Sequence, residues 1–271
     1  MKIVYNLSFW IMGLVFCSCD KSATEGTNVS DSSKLTLLSD TVGVSTYSDT
    51  DVEFVNEFGV LLPTEYRDWE QKNPANELTV NWFDLQQVGD SYVLGQSNYT
   101  IERGYSECTG DSTLFVNSKN KTLLFIDSAS GLRAGEVKAV NLSKNKIWPN
   151  EKLTFSFGAQ TYTLRAEGKV LSTENVQTDS GAEVYKKVED YKLYLSQNNM
   201  PEMLVLTQHS FEDTFVNILF VGDLDKDNKP DFIFSTNRNY EENRQELYLS
   251  SKAVGANLIK KVAEIVVQFD C

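Results

Sequence analysis

Beyond residue 40 the chain is a succession of short runs rich in Val, Ile, Thr, Phe and Tyr, punctuated by Gly, Asn, Asp and Ser. In several runs apolar and polar residues alternate with a period of two, which is the signature of a strand with one buried face. Leu153-Thr154-Phe155-Ser156-Phe157 is the clearest case. It is followed by Gly158-Ala159-Gln160 and then by a second alternating run, so 152–166 reads as a hairpin. The same reading predicts strands over 77–83, 92–94, 99–103, 113–116, 122–126, 136–140, 184–195, 203–208, 214–221, 231–235, 246–250 and 258–269. Turn residues such as Gly89-Asp90, Gly110-Asp111 and Gly131 separate them. Helical signals are sparse. Asp51 and Glu53 early and Gly59 afterwards predict one short helix over 50–58. The expected fold class is therefore all-β, with at most one or two short helices and an antiparallel, sandwich-like or meander body. Strands follow one another most closely from residue 184 onward. A sub-boundary is expected near 141–150, where Asn, Lys and Ser cluster ahead of Trp148-Pro149.

The first forty residues follow another pattern. Lys2 is followed by a mostly apolar stretch to Phe16, which is the length of a signal-peptide core and too short for a permanent membrane span. It closes on Phe16-Cys17-Ser18-Cys19, which resembles a bacterial lipobox. The resemblance implies that residues 1–18 are a lipoprotein signal peptide, that Cys19 is acylated, and that the chain is held on a membrane through an N-terminal lipid. The implied location is the cell envelope, at the outer membrane on its periplasmic or surface face. Residues 19–40 read as a flexible tether, because small polar residues bury too little surface to fold. An acidic residue directly after the cysteine, Asp20, is similar to the export signals of Bacteroidetes-type surface lipoproteins. The globular body is then 41–271.

Composition narrows the partners. The 271-residue chain carries a formal charge of −13, and the only charge in the first 18 residues is Lys2. So acidic a body lacks the basic surface on which phosphate-backbone affinity rests, which excludes nucleic acid as a partner. Of four cysteines, Cys17 leaves with the signal and Cys19 takes the lipid. Cys108 and Cys271 remain, and in an exported protein they are expected to form a disulfide.

The chemistry is concentrated in Asp223-Leu224-Asp225-Lys226-Asp227-Asn228-Lys229-Pro230-Asp231. Carboxylates at positions 1, 3, 5 and 9, with the Lys229 carbonyl at position 7, provide oxygen ligands that one short loop can wrap around a Ca²⁺ ion. Asn228 occupies the place usually taken by Gly, and Asn tolerates positive φ. The spacing resembles the calcium loops of FG-GAP and integrin-type repeats and of dockerins. The EF-hand fits less well, because position 12 is Phe234 where that motif has Glu. A single Asp-x-Asp-x-Asp also argues against a propeller, which repeats its motif blade by blade. Without metal, the same residues would form an acidic hairpin turn.

Catalytic signatures are lacking. The one histidine, His209, has Ser210, Glu212 and Asp213 nearby, but there is no Gly-x-Ser-x-Gly, His-Glu-x-x-His or phosphate-binding glycine loop. Trp69, Trp82 and Trp148 would make a sugar-stacking face if exposed, and core anchors if buried. The expected function is an exported, lipid-anchored, non-catalytic β-protein with a structural Ca²⁺ loop. The alternatives are a glycan- or protein-binding module of a surface uptake system, and a hydrolase that uses a carboxylate pair in a cleft.

Overall fold

The structure is a computed structural model, and it describes residues 54–68, 72–107, 109–178, 181–198 and 200–269. All of them belong to one compact unit, Asp51–Cys271. The strands, in chain order, are β1 (Val60–Leu61), β2 (Glu65–Arg67), β3 (Phe83–Val88), β4 (Ser91–Gln96), β5 (Tyr99–Tyr105), β6 (Ser112–Ser118), β7 (Thr122–Ile126), β8 (Gly135–Ala139), β9 (Lys152–Phe157), β10 (Gln160–Thr178), β11 (Gly181–Gln197), β12 (Met203–Ser210), β13 (Asn217–Asp223), β14 (Asp231–Ser235), β15 (Glu242–Leu249) and β16 (Lys260–Gln268). The fold is all-β with antiparallel sheets, as the sequence pattern predicts. The helical elements among the described residues are two single 3₁₀ turns, Pro74–Glu77 and Ser128–Ser130.

Nine strands form one sheet in the order β1-β7-β3-β4-β8-β13-β14-β15-β16. Its two edges come together. The Glu57 N–H donates to the Val262 carbonyl (2.9 Å), and the Asn56 side-chain amide pairs with the backbone of Glu264 in both directions (2.8 Å each). The sheet thus curls into a near-barrel. Its inner face collects Leu85, Leu94, Leu124, Ile126, Phe220, Ile233, Leu247 and Val262 into one apolar cluster. A three-stranded sheet, β2-β6-β5, contributes Tyr66, Leu114 and Val116 to the same cluster.

Strand periodicity gives β13–β15 a second apolar face. Ile218, Val221, Phe232, Phe234 and Tyr248 alternate with the inner-face residues and point to a second cluster. The four-stranded sheet β12-β11-β10-β9 covers that face with Leu153, Phe155, Phe157, Tyr191, Leu193 and Leu195. Residues 141–150 are the passage from the first cluster to the second: Val137 belongs to one, Ile147 and Trp148 to the other. The predicted β9–β10 hairpin is present, with its turn at Gly158 (φ +59°). β10 and β11 then run on together to Thr178 and Gly181, past the ends of β9 and β12.

Two predicted elements differ. The strand expected over 77–83 is instead a capped 3₁₀ turn and a bend. Asn73 accepts from the Ala75 N–H and fixes the turn at Pro74, so the strand starts only at Phe83. The helix expected over 50–58 is absent from 54–58, where Asn56 and Glu57 spend their hydrogen bonds on β16; residues 50–53 lie outside the described residues.

Candidate metal centre

β13 ends at Asp223 and β14 begins at Asp231, so the acidic run is the turn of a tight antiparallel pair. The close approach of β13 to β8 fixes where that turn lies. Gly222 faces Ala139 across the ladder, and a Cβ on Gly222 would stand 2.7 Å from the Lys138 carbonyl and 2.5 Å from the Phe220 ring. Leu224, fully buried in the inner cluster, anchors the first loop residue from below. Lys226 and Asn228 both adopt positive φ (+62° and +65°), which turns the chain back on itself; Asn228 takes the glycine-like conformation its position calls for.

This path brings Asp223, Asp225 and Asp227 together, with one carboxylate oxygen from each lying within 4.8 Å of the others. Backbone amides of the loop hold them. The Asp227 N–H donates to Asp223 Oδ1 (3.0 Å) and Asp225 Oδ1 (3.2 Å). The Asn228 N–H donates to Asp223 Oδ2 (3.1 Å), and the Lys229 N–H to Asp227 Oδ1 (2.8 Å). Charge compensation is small. The Lys229 ammonium stands 3.6 Å from Asp227 Oδ2, whereas Lys226 reaches away to the Ala134 carbonyl (3.0 Å). Burial and the neighbouring Asp225 charge push the Asp223 carboxyl above its usual range, against the pull of the Asn228 and Asp227 N–H groups.

Asp231, the fourth predicted ligand, is used differently. It is fully buried, and its oxygens are already engaged. Oδ2 accepts from the Leu224 (2.7 Å) and Asp225 (3.3 Å) N–H groups, and Oδ1 from the N–H (2.7 Å) and hydroxyl (3.0 Å) of Ser250. Burial, reinforced by the Asp225 charge, raises its pKa well above the ordinary carboxylate value. Asp231 is the peg around which the loop is folded, and the triplet is the part that presents oxygens. The structure adds two residues that the sequence reading did not single out. Ser250 also donates its hydroxyl to Asp227 Oδ1 (3.0 Å), and the Ser251 N–H donates to Asp225 Oδ2 (3.2 Å), so the end of β15 is stitched to the loop. A triad of carboxylates backed by amides is a donor set of hard oxygens, suited to a hard cation.

The other candidates separate clearly. Trp82 and Trp148 are 5% and 9% exposed and serve as core anchors, Trp148 stacked on Phe215 at 4.0 Å. Trp69 lies outside the described residues. His209 pairs with Asp190 on the neighbouring strand (2.8 Å), both side chains being exposed. Cys19, Cys108, Cys271 and the signal and tether segments also lie outside the described residues, and among the described residues no helix is long and apolar enough to cross a membrane. No family model, curated protein or solved structure matches the chain.

Proposed function

We propose that this is an exported, lipid-anchored β-protein whose acidic loop holds a structural Ca²⁺ ion. The observation that carries the metal reading is the convergence of Asp223, Asp225 and Asp227. Three carboxylates so close repel one another, and one divalent cation among them removes that repulsion and ties the β13–β14 turn to the end of β15. The choice of Ca²⁺ rests on the loop spacing, with the Lys229 carbonyl as a further oxygen ligand and Asp231 holding the loop in shape. Export and anchoring rest on the lipobox-like residues ending at Cys19. The ion is a stabiliser in this reading and takes no part in a reaction.

The test is thermal unfolding in chelator, in Ca²⁺ and in Mg²⁺. A ligand at a hundredfold excess over its Kd stabilises the native state by about 2.7 kcal/mol, which for a body of this size moves Tm by about 5–10 °C. Asp225→Ala removes a carboxylate of the triplet that is only half-buried, and should abolish the Ca²⁺ response while leaving a folded protein. Identical melting curves in chelator and Ca²⁺ would refute the metal reading.

A further inference from the structure

Where β10 and β11 run on past the rest of their sheet, one face of the two-stranded ribbon looks onto another part of the chain. Glu174 stands directly across from Tyr185, and Ser172 across from Lys187. Together with Val176 they face the turn at 211–213, and a cleft of about 610 Å³ lies between ribbon and turn. That is the size of a small-molecule site. Both walls are held in place. Tyr185 rests edge-on against Trp148, with 6.2 Å between ring centres, and Trp148 is stacked on Phe215. Phe211 and Phe215 are buried on either side of the turn. The Glu212 N–H donates to the Arg238 carbonyl and the Thr214 hydroxyl to the Asn237 carbonyl (2.9 Å each). Between these anchors Asp213 adopts positive φ (+52°), a conformation that few residues other than Gly accept.

The charge of the cleft is one-sided. Its walls carry the carboxylates of Glu174, Glu212 and Asp213 against the single ammonium of Lys187. Glu174 accepts from the Ser172 hydroxyl (3.3 Å). The side chains of Glu212, Asp213 and Lys187 make no hydrogen bond or ion pair among the described residues. Two neighbouring cations, Lys146 and Lys186, are taken up by Glu183 (3.5 Å) and Glu151 (3.6 Å). Burial, then the charges of Asp213 and Glu174, push the Tyr185 hydroxyl above its ordinary pKa, so both carboxylates act on that ring. The face of an aromatic ring and a carboxylate beside it attract the same positive charge. An anion would meet a surplus of carboxylates here, and a bare metal ion would leave the apolar walls at Val176 and Phe211 uncovered.

We infer that this cleft binds a small organic ammonium ion, its charged head at Tyr185 between Glu174 and Asp213 and its carbon chain along Val176 and Phe211. Charge complementarity chooses the head, and the apolar walls choose a carbon chain over a bare ion. The site shares no residue with the acidic loop of Asp223–Asp231, and binding there does not depend on Ca²⁺.

The experiment is ligand-observed NMR and calorimetry on the mature chain with butylamine, tyramine, cadaverine and choline, with butanol and butyrate as the neutral and anionic controls. At least one of the four ammonium ions should bind saturably in the millimolar range or tighter, and more weakly as NaCl is added. Asp213→Asn and Tyr185→Leu should each weaken it at least about threefold. Asp213→Asn should keep the wild-type melting curve, because Asn also accepts positive φ. Asp90→Asn removes the same charge from a turn elsewhere and should leave binding unchanged, as should Asp225→Ala in the acidic loop. Absence of saturable binding by all four ammonium ions would overturn the inference. So would equal binding of butanol or butyrate, binding that survives Asp213→Asn, or an equal loss in Asp90→Asn or Asp225→Ala.

Discussion

Ser250 supplies half of what holds Asp231. Its backbone N–H and its hydroxyl reach Asp231 Oδ1 at 2.7 and 3.0 Å, from 19 residues further along the chain. The Ser250 hydroxyl oxygen is also 3.0 Å from Asp227 Oδ1. One hydroxyl therefore connects the buried peg of the loop to the triplet that presents oxygens, and the end of β15 becomes part of the β13–β14 turn.

Ser250→Ala should expose the weight of that connection. It leaves the buried Asp231 carboxyl short of a donor, which typically costs about 1–3 kcal/mol. The midpoint of urea unfolding in chelator should fall accordingly with an unchanged slope. A midpoint equal to that of the wild type would show that the N–H of Ser250 alone suffices.

The buried carboxyl of Asp84 should make stability depend on pH. It is fully buried on β3, with Oδ2 accepting from Asn120 (2.8 Å) and Oδ1 without a partner among the described residues. Burial raises its pKa above 3.8, more than the hydrogen bonds from Asn120 and Thr122 lower it. The folded state then holds the proton more tightly than the unfolded chain does. This contribution is fully present below the unfolded value and is lost as pH rises through the raised folded one. Asp84→Asn removes the term, so the variant should gain on the wild type as pH is raised from about 4 to 7. A stability difference that stays constant over that range would contradict the assignment.

Cys108 and Cys271 are expected to be joined. Both lie outside the described residues; Glu107, next to Cys108 in the chain, and Phe269, two residues before Cys271, line one cleft together with Arg67 and Tyr105. A bridge over a loop of about 160 residues constrains the unfolded chain by roughly 4–5 kcal/mol in the entropic picture. Peptide mapping without reductant should recover the linked pair. Two alkylatable thiols in protein taken from an oxidising compartment would rule the bridge out.

Cys19→Ala should move the protein from the membrane fraction to the soluble one without changing its melting curve. Residues 19–40 are rich in small polar side chains, and the core clusters of the described residues are built from residues beyond 54. Mass spectrometry of the N-terminal peptide decides between an acylated Cys19 and an unmodified chain start.

Much of this fold is legible in the sequence, because alternation with a period of two directly records a strand between two environments. Lys152–Phe157 shows it plainly, burying Leu153, Phe155 and Phe157 and exposing the residues between. The second half of β10 does not. From Lys169 onward it pairs with β11 alone, most of its side chains are exposed on both faces, and its sequence is polar with no period to read. The stretch before Phe83 misled in the other sense. Leu78, Val80 and Trp82 have strand-like composition, but Pro74 and the Asn73 cap set a turn there. At the metal centre, the Asp spacing and the positive φ of Asn228 were readable from local chemistry. The role of Ser250 was not, since a single serine has no pattern and its meaning depends on where β15 ends. The Glu246–Glu264 pairing was hidden for the same reason. It exists only through the β15–β16 register, which includes a bulge between Leu247 and Tyr248.

The closure of the nine-stranded sheet has a mechanical consequence. Near the start of the described residues, Asn56 pairs with Glu264 and Glu57 with Val262, both on the last strand. A pull applied at residues 54–57 therefore loads the seam where the two edges of the sheet meet. Phe54 and Lys261, which meet at that seam, also form one wall of a cleft lined by Arg244, Glu246 and Glu264. A load on residues 54–57 strong enough to part the seam would also dismantle that wall.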